Sequence, residues 1–114
     1  MPLTITKKQS LKITEKDIQR TIMDYLQVKG YFFFRNNTGA MSGFHNGKKW
    51  FMHFGAVGSG DILGMTKEGR FFSIEVKMPG KYPTPAQKEW IERVTASGGI
   101  SFIARSLEDV EKVL

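Results

Sequence analysis

Two apolar runs separated by three residues constrain this chain more than any other feature. Asp61-Ile62-Leu63-Gly64-Met65-Thr66 and Arg70-Phe71-Phe72-Ser73-Ile74-Glu75-Val76-Lys77 both read as strands, and Lys67-Glu68-Gly69 between them reads as a hairpin loop. Strand side chains alternate between faces, so a slip of one residue would reverse all of them. A three-residue loop with Gly69 in the left-handed position makes Thr66 face Arg70. Counted inward, that register sets Asp61 opposite Glu75, with Lys77 on the same face. A two-residue turn would put Asp61 on the other face.

Two carboxylates held that close repel unless a cation sits between them or one takes up a proton. Oxygen sites of this kind suit Mg²⁺ or Mn²⁺, which keep several waters and need only one or two protein carboxylates. The Lys77 ammonium is suited to hold a water or to neutralise charge developing on a phosphate. For Glu-x-Lys alone, an ordinary solvated face with a salt bridge is the commoner outcome. The rest of the chain decides between the two.

A length of 114 residues fits one domain with a single small core. Nine Phe and two Trp in a chain 40% hydrophobic indicate a folded protein rather than a disordered one. There is no cysteine, which rules out a disulfide framework and a thiolate metal site and leaves an intracellular, cytoplasmic address unopposed. No apolar run approaches membrane-spanning length, and no signal-peptide core is seen, so no membrane partner is expected. The formal charge of +6 and the pI near 9.7 favour a polyanionic partner. Acidic residues clustered inside so basic a chain make sense when a cation reconciles them with phosphate.

Residues 1–12 are polar and basic without a clear period and are expected to form a flexible arm. Thr14-Glu15-Lys16-Asp17 opens a helix, with Ile18, Ile22, Tyr25 and Leu26 at helical spacing and Gly30 as a stop. Glu15 lies at the top of that apolar stripe. It either complements the helix dipole or aims a carboxylate at the end of the sheet. Tyr31 to Asn36 reads as a short aromatic strand, central because it is almost continuously apolar. Residues 38–60 hold six of the twelve glycines and mix Lys48, Lys49, Trp50 and His53 with Phe44, Phe51 and Phe54. They read as a long glycine-rich loop suited to substrate or to a subunit contact. His45 and His53 stay outside the candidate site.

After the hairpin, Thr84-Pro85-Ala86-Gln87 starts a second helix with a capping box, which by itself accounts for Gln87. Trp90, Ile91 and Val94 form its apolar face, and Gly98-Gly99 ends it. Ile100 to Arg105 is a further strand, parallel to the one before the helix, and Ser106 caps a last short helix over 107–114. The expected fold class is α/β, a mixed sheet flanked by helices in the order αβββαβ.

These residues together resemble the PD-(D/E)xK nuclease superfamily and, within it, the virus-type replication-repair nuclease (VRR-NUC) family. The resemblance runs from about Thr14 to Arg105. It rests on Glu15, Gly58-Ser59-Gly60-Asp61-Ile62, Ile74-Glu75-Val76-Lys77 and Gln87, in that order. Gly60 stands where the superfamily pattern has proline. The resemblance implies a restriction-endonuclease-like core spanning 1–114 as a single nuclease domain. It implies Asp61, Glu75 and the Val76 backbone carbonyl as ligands of Mg²⁺ or Mn²⁺, with Glu15 binding directly or through water. Lys77 would orient or activate the attacking water, and Gln87 would support the site or contact nucleic acid.

The implied activity is a structure-selective DNA endonuclease cutting branched DNA, such as four-way junctions, as a homodimer. Short free-standing members of this kind are often phage-encoded. Lys48, Lys49, Lys81 and Lys88 are expected to meet phosphate. The alternatives are a non-catalytic nucleic-acid-binding module on the same fold and a restriction-type enzyme reading base sequence. Two carboxylates near phosphate argue against the first, and the small size argues against the second.

Overall fold

Thr14 begins the first helix in the way its neighbours require. Its hydroxyl accepts the Asp17 N–H, and the Asp17 carboxylate accepts the Thr14 N–H, closing a capping box. The helix α1 (Glu15–Lys29) then buries Ile18, Ile22 and Leu26 and ends at Gly30. The computed structural model to which these elements belong describes residues 12–36 and 39–114. The arm expected over residues 1–12 therefore falls, through residue 11, outside the described residues.

Four strands make the main sheet: β1 (Phe32–Arg35), β4 (Ile62–Met65), β5 (Phe71–Val76) and β6 (Ile100–Ala104), in the order β1-β4-β5-β6. The first two pairings are antiparallel and the β5–β6 pairing is parallel, as the helical crossover requires. The register Ile62↔Ile74 to Met65↔Phe71 is the one set by the three-residue loop. The Thr66 N–H donates to the Arg70 carbonyl at 2.8 Å, and Gly69 has φ +84°.

Alternation along β5 divides the molecule. Phe72, Ile74 and Val76 join Ile62, Ala104, Val110 and the buried face of α1 in one core. The helix α3 (Leu107–Glu111), which carries Val110, packs against α1. On the opposite face Phe71, Ser73 and Glu75 meet α2 (Pro85–Ala96): Trp90 stacks edge-on with Phe71 and Gln87 bonds Glu75. Among the described residues no helix is long and apolar enough to cross a membrane.

Two expectations change. The aromatic strand β1 is an edge strand rather than a central one, with Phe32 74% and Phe34 51% exposed. A continuous apolar run signals burial on both faces only when neighbours cover both, and β4 takes the inner place. The segment expected as a glycine-rich loop instead forms a second, two-stranded sheet, β2 (Gly39–His45) and β3 (Lys48–Phe54). Asn46 and Gly47 form its turn with φ of 51° and 77°, both left-handed, as a two-residue hairpin turn demands. The Asn-Gly pair was the readable signal for it.

Candidate active site

Asp61 arrives at the site through a network rather than through the sheet ladder alone. The Gly60 N–H donates to the buried Ser73 hydroxyl at 3.2 Å, and the Trp90 indole N–H donates to the same oxygen at 2.9 Å. Asn36 Nδ2 donates to the Gly60 carbonyl (2.8 Å) and to the Ser59 hydroxyl (2.7 Å). This explains the departure at position 60. Proline has no N–H for Ser73, and a Cβ built on Gly60 would collide with the Ser73 hydroxyl and lie 2.8 Å from the Ile74 carbonyl. Asn36, Ser73 and Trp90 escape a reading by motif, because their partners lie on other elements. The one local hint is Ser73, a polar residue on the same face as Glu75.

The Asp61 N–H bonds the Ile74 carbonyl at 2.8 Å, one residue short of the Glu75 register, and Asp61 Oδ2 accepts the Val76 N–H at 2.7 Å. The side chain thus replaces a ladder bond and stands near enough to Glu75 for its charge to act on that carboxyl. Glu75 is only 6% exposed. Burial, reinforced by the adjacent Asp61 charge, pushes its carboxyl up to about 8 against the opposing pull of Lys77. Burial also raises Asp61, partly offset by the Val76 N–H. Both carboxyls are thus shifted toward the protonated form relative to free ones.

Lys77 Nζ lies 3.9 Å from Glu75 Oε1. Gln87 serves two ends at once. Its Oε1 accepts the Thr84 N–H at 2.9 Å, completing the capping box, and its Nε2 donates to Glu75 Oε1 at 2.8 Å. The structural and functional readings of Gln87 are thus compatible. Glu15 is exposed on the first turn of α1, shares a groove with Lys77, and its charge is felt at both Asp61 and Glu75.

Asp61, Glu75, Lys77 and Gln87 come together, with Glu15 at the margin. Among the described residues no three His, Cys, Asp or Glu side chains converge on one point, so any cation here would draw on the Asp61–Glu75 pair and on backbone or water oxygen. Lys81 lines the same groove as Lys77, and Lys88 is exposed one position after Gln87. Lys48 and Lys49 lie on the separate hairpin, as does His45. The His53 side chain lies outside what is described.

A family model of the VRR-NUC domain matches residues 13–108. A solved structure of a "VRR_NUC domain protein" is similar with a TM-score of 0.63 and 21% identity, covering 89% of this chain and 84% of the other. At that identity the likeness speaks to the fold. A comparison with curated proteins finds no match.

Proposed function

Because the chain belongs to the VRR-NUC domain family, we propose that it is a Mg²⁺- or Mn²⁺-dependent endonuclease that hydrolyses phosphodiester bonds in branched DNA. The observation that carries this reading is the buried Glu75 carboxyl, bonded by Gln87, on one face with the half-buried Asp61 and with Lys77 Nζ 3.9 Å away. Binding a polyanion alone calls for no pair of adjacent carboxyls, whereas a hard cation such as Mg²⁺ takes one or two carboxylates of this kind as oxygen ligands.

In this reading Asp61, Glu75 and the Val76 carbonyl hold the ion, and Glu15 contributes directly or through water. The cation, when bound, supplies Lewis-acid chemistry to the phosphoryl group and to the attacking water. Lys77 orients that water or neutralises charge on the phosphate as the new P–O bond forms and the old one breaks. Gln87 fixes the Glu75 carboxylate through Nε2. Lys48, Lys49, Lys81 and Lys88 serve as phosphate contacts that carry no sequence information. A homodimer would present two sites related by a two-fold axis, matching the paired cuts a four-way junction requires.

The test is cleavage of a labelled four-way junction against linear duplex with Mg²⁺, Mn²⁺ or EDTA, alongside light scattering for mass. Metal-dependent paired cuts by a dimer are expected. Tight junction binding without cutting in either metal would instead identify a binding module.

Gln87→Glu separates the two duties of that residue. Glutamate keeps the capping box but removes the donor to Glu75, so cleavage should fall by about 10–100-fold, as for other partners that orient a metal ligand. Helix content by circular dichroism should be unchanged. Full activity in this variant would reduce Gln87 to a cap.

A further inference from the structure

A groove of about 770 Å³ opens where the start of α1 faces the chain leaving β5, and Lys77 is part of its wall. Its size is that of a small-ligand site. Lys12, Lys16, Lys77 and Lys81 line it against one carboxylate, Glu15, so the groove selects anions. Tyr82 completes the lining and is 78% exposed.

The backbone that presents the ring is supported. Met78-Pro79-Gly80-Lys81 forms a tight turn in which the Lys81 N–H donates to the Met78 carbonyl at 3.1 Å, with Gly80 at φ +83°. Arg105 Nη2 donates to the Lys81 carbonyl at 2.8 Å, and the same guanidinium lies 5.9 Å from the centre of the Tyr82 ring. An anchored cation thus lies beside the ring, and the ring, largely exposed, lines the lysine groove. Lysines that track a phosphate backbone, combined with an exposed aromatic ring, are the two parts of a single-strand binding site.

We propose that Tyr82 is a stacking platform for one unpaired nucleobase close to the phosphate handled by Asp61 and Glu75, with Lys12, Lys16 and Lys81 holding the flanking phosphates and Arg105 positioning the ring. The inference rests on the nuclease reading for the identity of the polymer. The base must be unpaired, because in a duplex each base face is already covered by its neighbours. Neither the lysines nor the ring identify a base, so selection falls on opened DNA structure rather than on sequence.

The test uses the full chain and a duplex with a short single-stranded gap carrying one 2-aminopurine, with the fully paired duplex as reference. Wild type and Tyr82→Phe should quench the 2-aminopurine fluorescence and prefer the gapped DNA. Tyr82→Ala should not quench and should lose about tenfold of that preference, the loss of one base stack. Equal quenching and equal preference in wild type and Tyr82→Ala would overturn the platform. A wild type that cuts junctions without quenching the probe would overturn the platform alone. One that quenches but cuts nothing with Mg²⁺ or Mn²⁺ would overturn the nuclease reading and leave the platform standing.

Discussion

Glu75→Gln is expected to lower cleavage by about a thousandfold or more, since even partners that only orient metal ligands cost 10–100-fold. The same substitution should make the cation-free protein less sensitive to pH. Glutamine has the shape of the protonated acid and its oxygen can accept from Gln87, so the interaction in place at neutral pH survives. The wild type behaves otherwise. The Glu75 carboxyl is raised from 4.5 to about 8, so between those values the folded chain holds a proton that the unfolded chain has released. Its contribution is complete below pH 4.5 and is lost as pH rises through 8, with a slope of up to about 1.4 kcal/mol per pH unit. Asp61 is shifted in the same direction and adds to the trend. The melting temperature of wild type without divalent cation should therefore fall between pH 5 and 9, and that of Glu75→Gln should fall less. Mg²⁺ or Mn²⁺ competes for the same oxygens and should stabilise wild type more at pH 8 than at pH 6. Superimposable pH profiles for the two proteins would remove the proton held at Glu75, and unchanged cleavage would remove Glu75 from the chemistry.

Local rules made much of this site legible. The loop Lys67-Glu68-Gly69 determined the register, the register put Asp61 and Glu75 on one face, and Thr14 and Thr84 marked where two helices start. Each of these depends on residues a few positions apart, where steric and hydrogen-bonding preferences act directly. What escaped depends on packing between distant segments. Asn36 with Gly60, Ser73 with Trp90, and Arg105 with Tyr82 meet only after the sheet has formed. The aromatic run at β1 misled for a related reason: hydrophobicity reports that a strand wants cover, and the pairing order decides whether it gets cover on both faces. The β2–β3 hairpin was legible at Asn46-Gly47, but the density of glycines around it pointed to a loop. Gln87 posed a choice that the fold dissolves, because one amide has an acceptor end for the helix cap and a donor end for the carboxylate.

Gly58→Ala is expected to destabilise the protein by about 2–5 kcal/mol, a large share of the roughly 5–15 kcal/mol available to a domain of this kind. Gly58 has φ +81°, a conformation that costs a residue with a Cβ about 1–2 kcal/mol. The added carbon would also run into the Ala86 carbonyl and lie 3.0 Å from the Gln87 nitrogen. Those atoms are backbone in the first turn of α2, pinned by Pro85 and by both arms of the Thr84–Gln87 capping box, so they yield only if the helix start moves as a unit. Moving it draws Gln87 Nε2 away from Glu75, and cleavage should fall together with stability. Gly69→Ala is the matched comparison. Its φ of +84° carries the same conformational cost, but its Cβ would enter open space in the hairpin loop. It should lose only about 1–2 kcal/mol and leave cleavage intact. Urea denaturation of both variants measures the difference directly. Equal losses would mean that conformation alone sets the requirement for glycine at 58; a distinctly larger loss at 58, accompanied by lower activity, would show that the close approach of Gly58 to α2 holds Gln87 against Glu75.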